Sequence, residues 1–259
     1  MAGIQVKSNG QVLEIVLDRP KANAIDSEAS LELNRVFTEF NRDAHHRVAI
    51  LTGAGSKFFC TGGDLKELDA KQGDVDYGKN GFAGLTHFTG LEKPVIAAVN
   101  GLCVGGGLEL LLACDLVVSS SEARFFLSET LIGNVPFLVS VQRLLHRLPR
   151  NIALEMLYTG RQMTASELAS YGLINAVVPA DQLRSAAYEL AEKVIAAAPL
   201  AISACKRASA VVEAMSVKQV ADFDDAESLE FFDEVMRSED AKEGARAFVE
   251  KRAPVWRGL

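Results

Sequence analysis

An α/β fold is what the sequence predicts, on three observations. Short apolar runs suited to buried strands alternate with segments of helical periodicity. The run Pro94-Val95-Ile96-Ala97-Ala98-Val99 enters a glycine-rich turn, an apolar helix follows near residues 108–113, and Leu116-Val117-Val118-Ser119 returns to strand. That strand–helix–strand rhythm is the signature of parallel crossovers. Beyond Asn151 the pattern becomes mostly helical, interrupted by a short strand-like stretch at 174–178.

In chain order, residues 4–7 and 12–17 are apolar-rich runs separated by Ser8-Asn9-Gly10-Gln11. Asn-Gly accepts the positive φ angles of a tight turn, so a hairpin is expected. From Ser27, Leu33, Val36, Phe37 and Phe40 recur at helical spacing, with Asp26 or Ser27 placed to cap the start. Residues 48–52 read as a buried strand ending at Gly53. Residues 71–90 are polar and carry five glycines, a pattern open to two readings: a mobile surface segment, or a lid or wall whose inward groups are Phe82, His87 and Phe88. From Asp181 to Lys251 several helices are expected, packed on their own core or against a neighbouring subunit. No low-complexity linker or internal repeat is visible in the sequence.

With 259 residues, 49% hydrophobic and 24% charged, the chain can bury one large core. Its net charge of −7 argues against a nucleic-acid partner, which needs a basic footprint. It leaves room for an anionic small molecule held by a few local donors. The most apolar stretch, 94–119, contains Asn100, Glu109 and Asp115, which a membrane span would strand in hydrocarbon. It therefore reads as core, and no membrane partner is expected. Residues 1–7 lack the layout of a signal peptide. Cys60, Cys103, Cys114 and Cys205 show no C-x-x-C spacing and read as buried free thiols of a reducing compartment. A cytoplasmic location follows by default.

The chemistry centres on Gly105-Gly106-Gly107-Leu108-Glu109. Glycines let a backbone approach a ligand closely, and a helix starting after them offers unpaired N–H groups to negative charge. Taken alone, tight packing explains such a turn equally well. Glu109 adds weight, because Leu110-Leu111-Leu112-Ala113 follow it and burying a carboxylate costs several kcal/mol unless it is paired. It reads either as half of a structural ion pair or as a buried acid with a raised pKa, poised for proton transfer. Glu129 follows Phe125-Phe126-Leu127-Ser128, and the two glutamates could flank one reacting centre. Thr61-Gly62-Gly63-Asp64 offers a second backbone donor, although by itself it reads as a simple turn. Rival motifs fail. Gly53-Ala54-Gly55-Ser56-Lys57 does not meet the phosphate-loop pattern, and Leu110 stands where a dinucleotide fingerprint needs its third glycine. There is no H-x-x-x-H and no G-x-S-x-G, so neither a metal site nor a serine nucleophile elbow is expected.

Several collinear stretches together resemble the enoyl-CoA hydratase/isomerase (crotonase) superfamily across nearly the whole chain. They are Leu17-Asp18-Arg19-Pro20-Lys21-Ala22-Asn23-Ala24-Ile25, residues 58–66 and 93–115, Ala123-Arg124-Phe125 through Glu129 and Gly133, Tyr158-Thr159-Gly160-Arg161, and Tyr171-Gly172-Leu173-Ile174-Asn175. Ala22-Asn23-Ala24-Ile25-Asp26 and the ending Glu250-Lys251-Arg252-Ala253-Pro254-Val255-Trp256 look most like one narrower branch. The resemblance implies a crotonase-like fold of repeated ββα units over 1–195 and a helical trimerisation region over 196–259, giving a homotrimer or a dimer of trimers. It implies a coenzyme A thioester as substrate, with no cofactor besides. By position, Gly63 and Gly106 would form the oxyanion hole, and Glu109 and Glu129 the acid–base pair. Backbone around Ala22, Ala24, Asp64, Leu65 and Lys66 would line the CoA channel. The implied reaction is hydration of a 2-enoyl-CoA or its reverse; double-bond isomerisation and a non-catalytic CoA-binding subunit are the alternatives. One departure stands out: Phe137-Leu138-Val139-Ser140-Val141 replaces the family's small, glycine-rich run, and Ser128 replaces a proline. Both changes are expected to reshape the acyl pocket beside the second glutamate.

Overall fold

The computed structural model describes residues 2–213, 215–221 and 226–259. The chain opens with the expected hairpin, β1 (Ile4–Asn9) and β2 (Val12–Leu17), with Asn9 opposite Val12. The turn is therefore Gly10-Gln11, and Gly10 takes the left-handed angle, φ 55°. In α1 (Ser27–Arg42), the Asp26 carboxylate accepts the Ala29 N–H at 2.8 Å, which settles the cap. Leu33, Val36, Phe37 and Phe40 are all buried, as their spacing required.

From β3 to β8 the strands are dealt alternately to two sheets. β3 (Val48–Gly53), β5 (Val95–Val99), β7 (Leu116–Ser120) and β10 (Ala176–Val178) extend the hairpin into a six-stranded sheet, parallel beyond its first pair. β4 (Phe58–Cys60), β6 (Leu102–Val104), β8 (Arg124–Phe126) and β9 (Met163–Thr164) form a second, four-stranded sheet. Helices α2 (Leu65–Ala70), α3 (Gly106–Leu112) and α4 (Leu138–Arg147) follow the first three strand pairs. The result is the series of ββα repeats that the family resemblance implies, although no periodicity in the sequence disclosed it. Its second strands are only three residues long, too short to show a period of two. Residues 102–104, expected to belong to the turn, are one of them.

Asn100 makes the corner between the sheets. Its side chain accepts the Gly53 N–H at 3.1 Å and donates to the Phe58 carbonyl at 3.0 Å. In the large sheet, Val48, Ile50, Ile96, Ala98 and Val118 pack against Leu183, Ala187 and Ala191 of α7 (Leu183–Ile195). Their neighbours Ala49, Leu51, Ala97 and Val99 face the main core, with Phe37, Phe59 and Leu108. Burial on both faces is why these strands read as unbroken apolar runs.

Helices begin earlier than expected, since α4 precedes Asn151; α5 (Arg150–Thr159) and α6 (Ala165–Ser170) come next. After α7 come α8 (Pro199–Val212), α9 (Val217–Ala221), α10 (Ala226–Arg237) and α11 (Glu239–Glu250). Lys206 ties α8 to the core by donating to the Asp115 carboxylate and the Lys93 carbonyl, both at 2.8 Å. The tail returns as well: the Trp256 indole donates to the Ala196 carbonyl at 2.8 Å, and Arg47 donates to the Trp256 carbonyl. Cys60, Cys103 and Cys114 are buried free thiols as expected, whereas Cys205 lies exposed on α8. Among the described residues no single helix is long and apolar enough to cross a membrane.

Loss of a capping carboxylate typically costs about 1 kcal/mol. Asp26→Ala should therefore lower unfolding free energy by roughly that amount in urea titrations, and by somewhat more because Asp26 also pairs with Arg19. Asp26→Asn keeps the acceptor and should recover most of the loss.

Candidate active site

Two turns meet at the centre of the molecule. Gly105 precedes α3 at φ 54° and ψ −124°, angles that a side chain resists, so the chain enters the helix abruptly. The next turn of backbone presses onto β4: a Cβ on Gly107 would lie 2.1 Å from the Cys60 carbonyl oxygen. This approach brings Gly106 beside Gly62-Gly63, where a Cβ on Gly62 would sit 2.8 Å from the Gly106 nitrogen. Gly63 is itself held by a bridge to Ile25, through Ile25 N–H to Gly62 O (2.8 Å) and Asp64 N–H to Ile25 O (2.9 Å). Neither bond uses the Gly63 N–H, and the Gly106 N–H opens α3, ahead of the first intrahelical bond. Both expected donors are thus adjacent and, among the described residues, free of backbone partners.

Glu109, one turn into α3, is 3% exposed. Among the described residues it has no basic partner, so the reading of a structural ion pair does not hold. Its carboxylate instead accepts the Phe137 N–H at 2.7 Å, from the residue that caps the start of α4. Burial pushes its pKa up to about 7, and the nearby charge of Glu129 adds to the rise; the Phe137 N–H opposes it. Glu129 closes the other side, with Oε1 3.0 Å from where a Gly105 Cβ would be. Its pKa is raised by burial too. Among the described residues just two buried side-chain polar atoms lack a protein hydrogen bond, Glu129 Oε2 and the Ser140 hydroxyl. Ser140 nonetheless lies near enough to favour the ionised form of Glu109, an electrostatic influence without a well-formed hydrogen bond. Buried polar groups left unpaired cost about 1–3 kcal/mol each, so their concentration here marks a place built to receive a ligand.

The remaining expected residues fall into place unevenly. The parallel bridge sets Ile25 beside Gly63 and Asp64, whereas Ala22 lies further back, its carbonyl accepting the Thr61 hydroxyl at 3.1 Å. Asp64 caps α2 by accepting the Lys66 N–H at 2.8 Å, while Leu65 and Lys66 are exposed beyond it. Segment 71–90 is a wall rather than a loose loop: Phe82, Ala83, Gly84, Leu85 and Thr86 are buried, and the Ala83 N–H donates to Ser30 Oγ at 3.0 Å. Of its three expected inward groups, Phe82 is buried over Gly106, Phe88 is half-buried against the core, and His87 is exposed. The run 137–141 lies against Glu109, the first glutamate, not only beside the second. Leu138 points out, 87% exposed, so Phe137 and Ser140 are what the replacement adds to the site. The Phe137 ring stands at 6.2–6.4 Å between centroids from Tyr77, Phe82 and His87. Residue type did not mark the Phe137 N–H, because a backbone donor has no sequence signature.

Two backbone N–H groups thus lie near a buried and a half-buried carboxylate, both of raised pKa, a combination suited to acid–base chemistry on a carbonyl compound that gains negative charge as it reacts. The chain belongs to the enoyl-CoA hydratase/isomerase family, whose model matches residues 7–258. Among its relatives are carnitinyl-CoA dehydratases from Proteus mirabilis (strain HI4320), 46% identical, and Escherichia coli (strain K12), 47% identical. Each alignment spans 256 residues and 98% of both chains. These belong to the branch that residues 22–26 and 250–256 resemble. Among solved structures, an enoyl-CoA hydratase from Mycobacterium tuberculosis H37Rv superimposes with a TM-score of 0.91 at 36% identity over 100% of both chains. A probable enoyl-CoA hydratase/isomerase from Mycobacterium abscessus gives 0.89 at 38% identity, again over 100% of both.

Burial has a pH signature. With its pKa raised from 4.5 to about 7, folded Glu109 holds a proton that the unfolded chain releases between those values. Stability therefore falls as pH rises through this window, by about 3 kcal/mol once Glu109 is ionised. Glu109→Gln keeps an acceptor for the Phe137 N–H and removes the charge. Denaturant titrations should show it more stable than the parent by up to about 3 kcal/mol at pH 8, with the difference vanishing toward pH 4.

Proposed function

We propose that this protein interconverts a 2-enoyl-CoA and a 3-hydroxyacyl-CoA, adding or removing water with Glu109 and Glu129 as the acid–base pair. The observation that carries the reading is the pairing of the two carboxylates, both raised by burial, against the free N–H groups of Gly63 and Gly106. Mutual repulsion favours one shared proton between them. In hydration the ionised member takes a proton from water, whose oxygen bonds to C3, and the protonated member delivers its proton to C2. Charge passing onto the thioester oxygen is met by the two N–H groups, which lowers the barrier without any group beyond the protein. Ala22, Ala24, Asp64, Leu65 and Lys66 are the proposed CoA-binding strip, supported by the bridge between Ile25 and Gly63 and by the Thr61–Ala22 hydrogen bond, which hold the two segments together. The carnitinyl-CoA dehydratase relatives support the dehydration direction as a native use of the same chemistry.

Glu109→Gln or Glu129→Gln should each cut turnover of an enoyl-CoA panel by orders of magnitude while CoA-ester affinity, read by calorimetry, persists. Near-normal rates in both variants would sink the assignment. Product oxygen from isotopically labelled water separates hydration from isomerisation, which incorporates none.

Self-association as a homotrimer or dimer of trimers belongs to the same proposal. Its support is apolar surface on the single chain: Leu131, Ile132, Val135 and Leu138 near the site, and Phe248 and Val249 on α11, are each 57–87% exposed. Light scattering coupled to size exclusion should return three or six times the 27.9 kDa chain mass; a monomer at micromolar concentration would refute it.

A further inference from the structure

The wall formed by residues 71–90 carries a donor that the acid–base pair leaves unused. The Tyr77 carbonyl is pinned to α1, accepting from the Ser30 hydroxyl at 2.7 Å and from the Asn34 amide at 2.9 Å. Its ring stands edge-on to Phe82 at 5.1 Å between centroids, and to Phe137 at 6.2 Å. Held at both ends, the hydroxyl oxygen reaches Gly63 and lies 3.0 Å from where a Cβ on that glycine would be. Among the described residues this hydroxyl makes no hydrogen bond. A half-buried phenol is ordinarily anchored by a partner, and here the rings around it offer none. Burial, with the carboxylates of Glu67, Glu109 and Asp64, also raises its pKa, so at neutral pH it remains a donor.

We propose that Tyr77 is a third donor to the substrate carbonyl, its O–H joining the Gly63 and Gly106 N–H groups on the thioester oxygen. The proposal rests on the reading above that this site takes a CoA thioester. The geometry follows from the fold: Phe82 lies over Gly106 and Tyr77 over Gly63, so one aromatic pair flanks both backbone donors, and its polar member stands beside one of them. A donor in that low-dielectric setting acts most strongly when the oxygen carries most charge, which is in the transition state.

Tyr77→Phe removes the hydroxyl and keeps the ring that packs on Phe82 and Phe137. The probe is butyryl-CoA, which has no double bond to react, isotope-labelled at its carbonyl carbon and bound to the full-length protein. Infrared difference spectra should show its carbonyl stretch below the value for free thioester, and Tyr77→Phe should return part of that shift. In parallel, kcat for the enoyl substrate should fall about tenfold to a hundredfold, with KM changed far less. A bound carbonyl stretch identical in parent and variant overturns the proposal, even if turnover falls, because a purely packing role would leave the carbonyl untouched. Failure of the parent to bind butyryl-CoA at all would overturn the thioester reading and this proposal together. Turnover by the parent, with a bound carbonyl stretch that Tyr77→Phe leaves unchanged, overturns this proposal alone.

Discussion

The approach of α3 to β4 governs the molecule's centre. Gly107 has no room for a Cβ against the Cys60 carbonyl, and Gly62 has little against the Gly106 nitrogen. A side chain at either position would drive the two turns apart. With them in contact, two backbone N–H groups from segments more than forty residues apart in the chain come to one place. Everything else in the site is arranged around that contact: Ile25 bridges Gly63 from one side, Gly105 bends the chain so that Glu129 can lie against it, and Glu109 follows one helical turn later.

Electrostatics work against the fold at this point. Glu109 is buried without a cation, and one N–H from Phe137 offsets only part of the desolvation, so the group stays protonated to about pH 7. A salt bridge would have stabilised the carboxylate and, in doing so, made it a poor proton carrier. Glu14 shows the contrast. It is also buried, 6% exposed, but Arg184 and Tyr188 hydrogen-bond it and its pKa is lowered. Two buried glutamates in one chain thus take opposite protonation behaviour from opposite surroundings, one fastening α7 to the sheet and the other, without a cation, held protonated to near neutral pH.

The bulky replacement at 137–141 changes character once seen in place. Phe137 holds Glu109 with its backbone and joins Tyr77 and Phe82 with its ring, while Leu138 faces away from the core. A single residue therefore couples Glu109 to the aromatic wall. Changes in the wall are expected to reach the chemistry through Phe137 as well as through the shape of the pocket.

Local pattern alone determined a good deal: the Asp26 cap, the buried stripe of α1, the strands at 48–53 and 95–99, and the glycine turn with Glu109 at its end. Each is written within a few residues of itself, as a spacing or a backbone preference. The collinear motifs also determined the family. The second sheet could not be read, because its three-residue strands are too short to carry a period. Nor could the Phe137 N–H, since any residue there supplies the same donor, or the place of the Tyr77 hydroxyl, which depends on where α1 holds its backbone. Those features are set by contacts between distant segments. The sequence by itself determined which ionisable groups stand around Gly105–Glu109; only tertiary packing decided which of them are buried without a cation and lie close enough for their charges to interact, because both depend on contacts between distant segments.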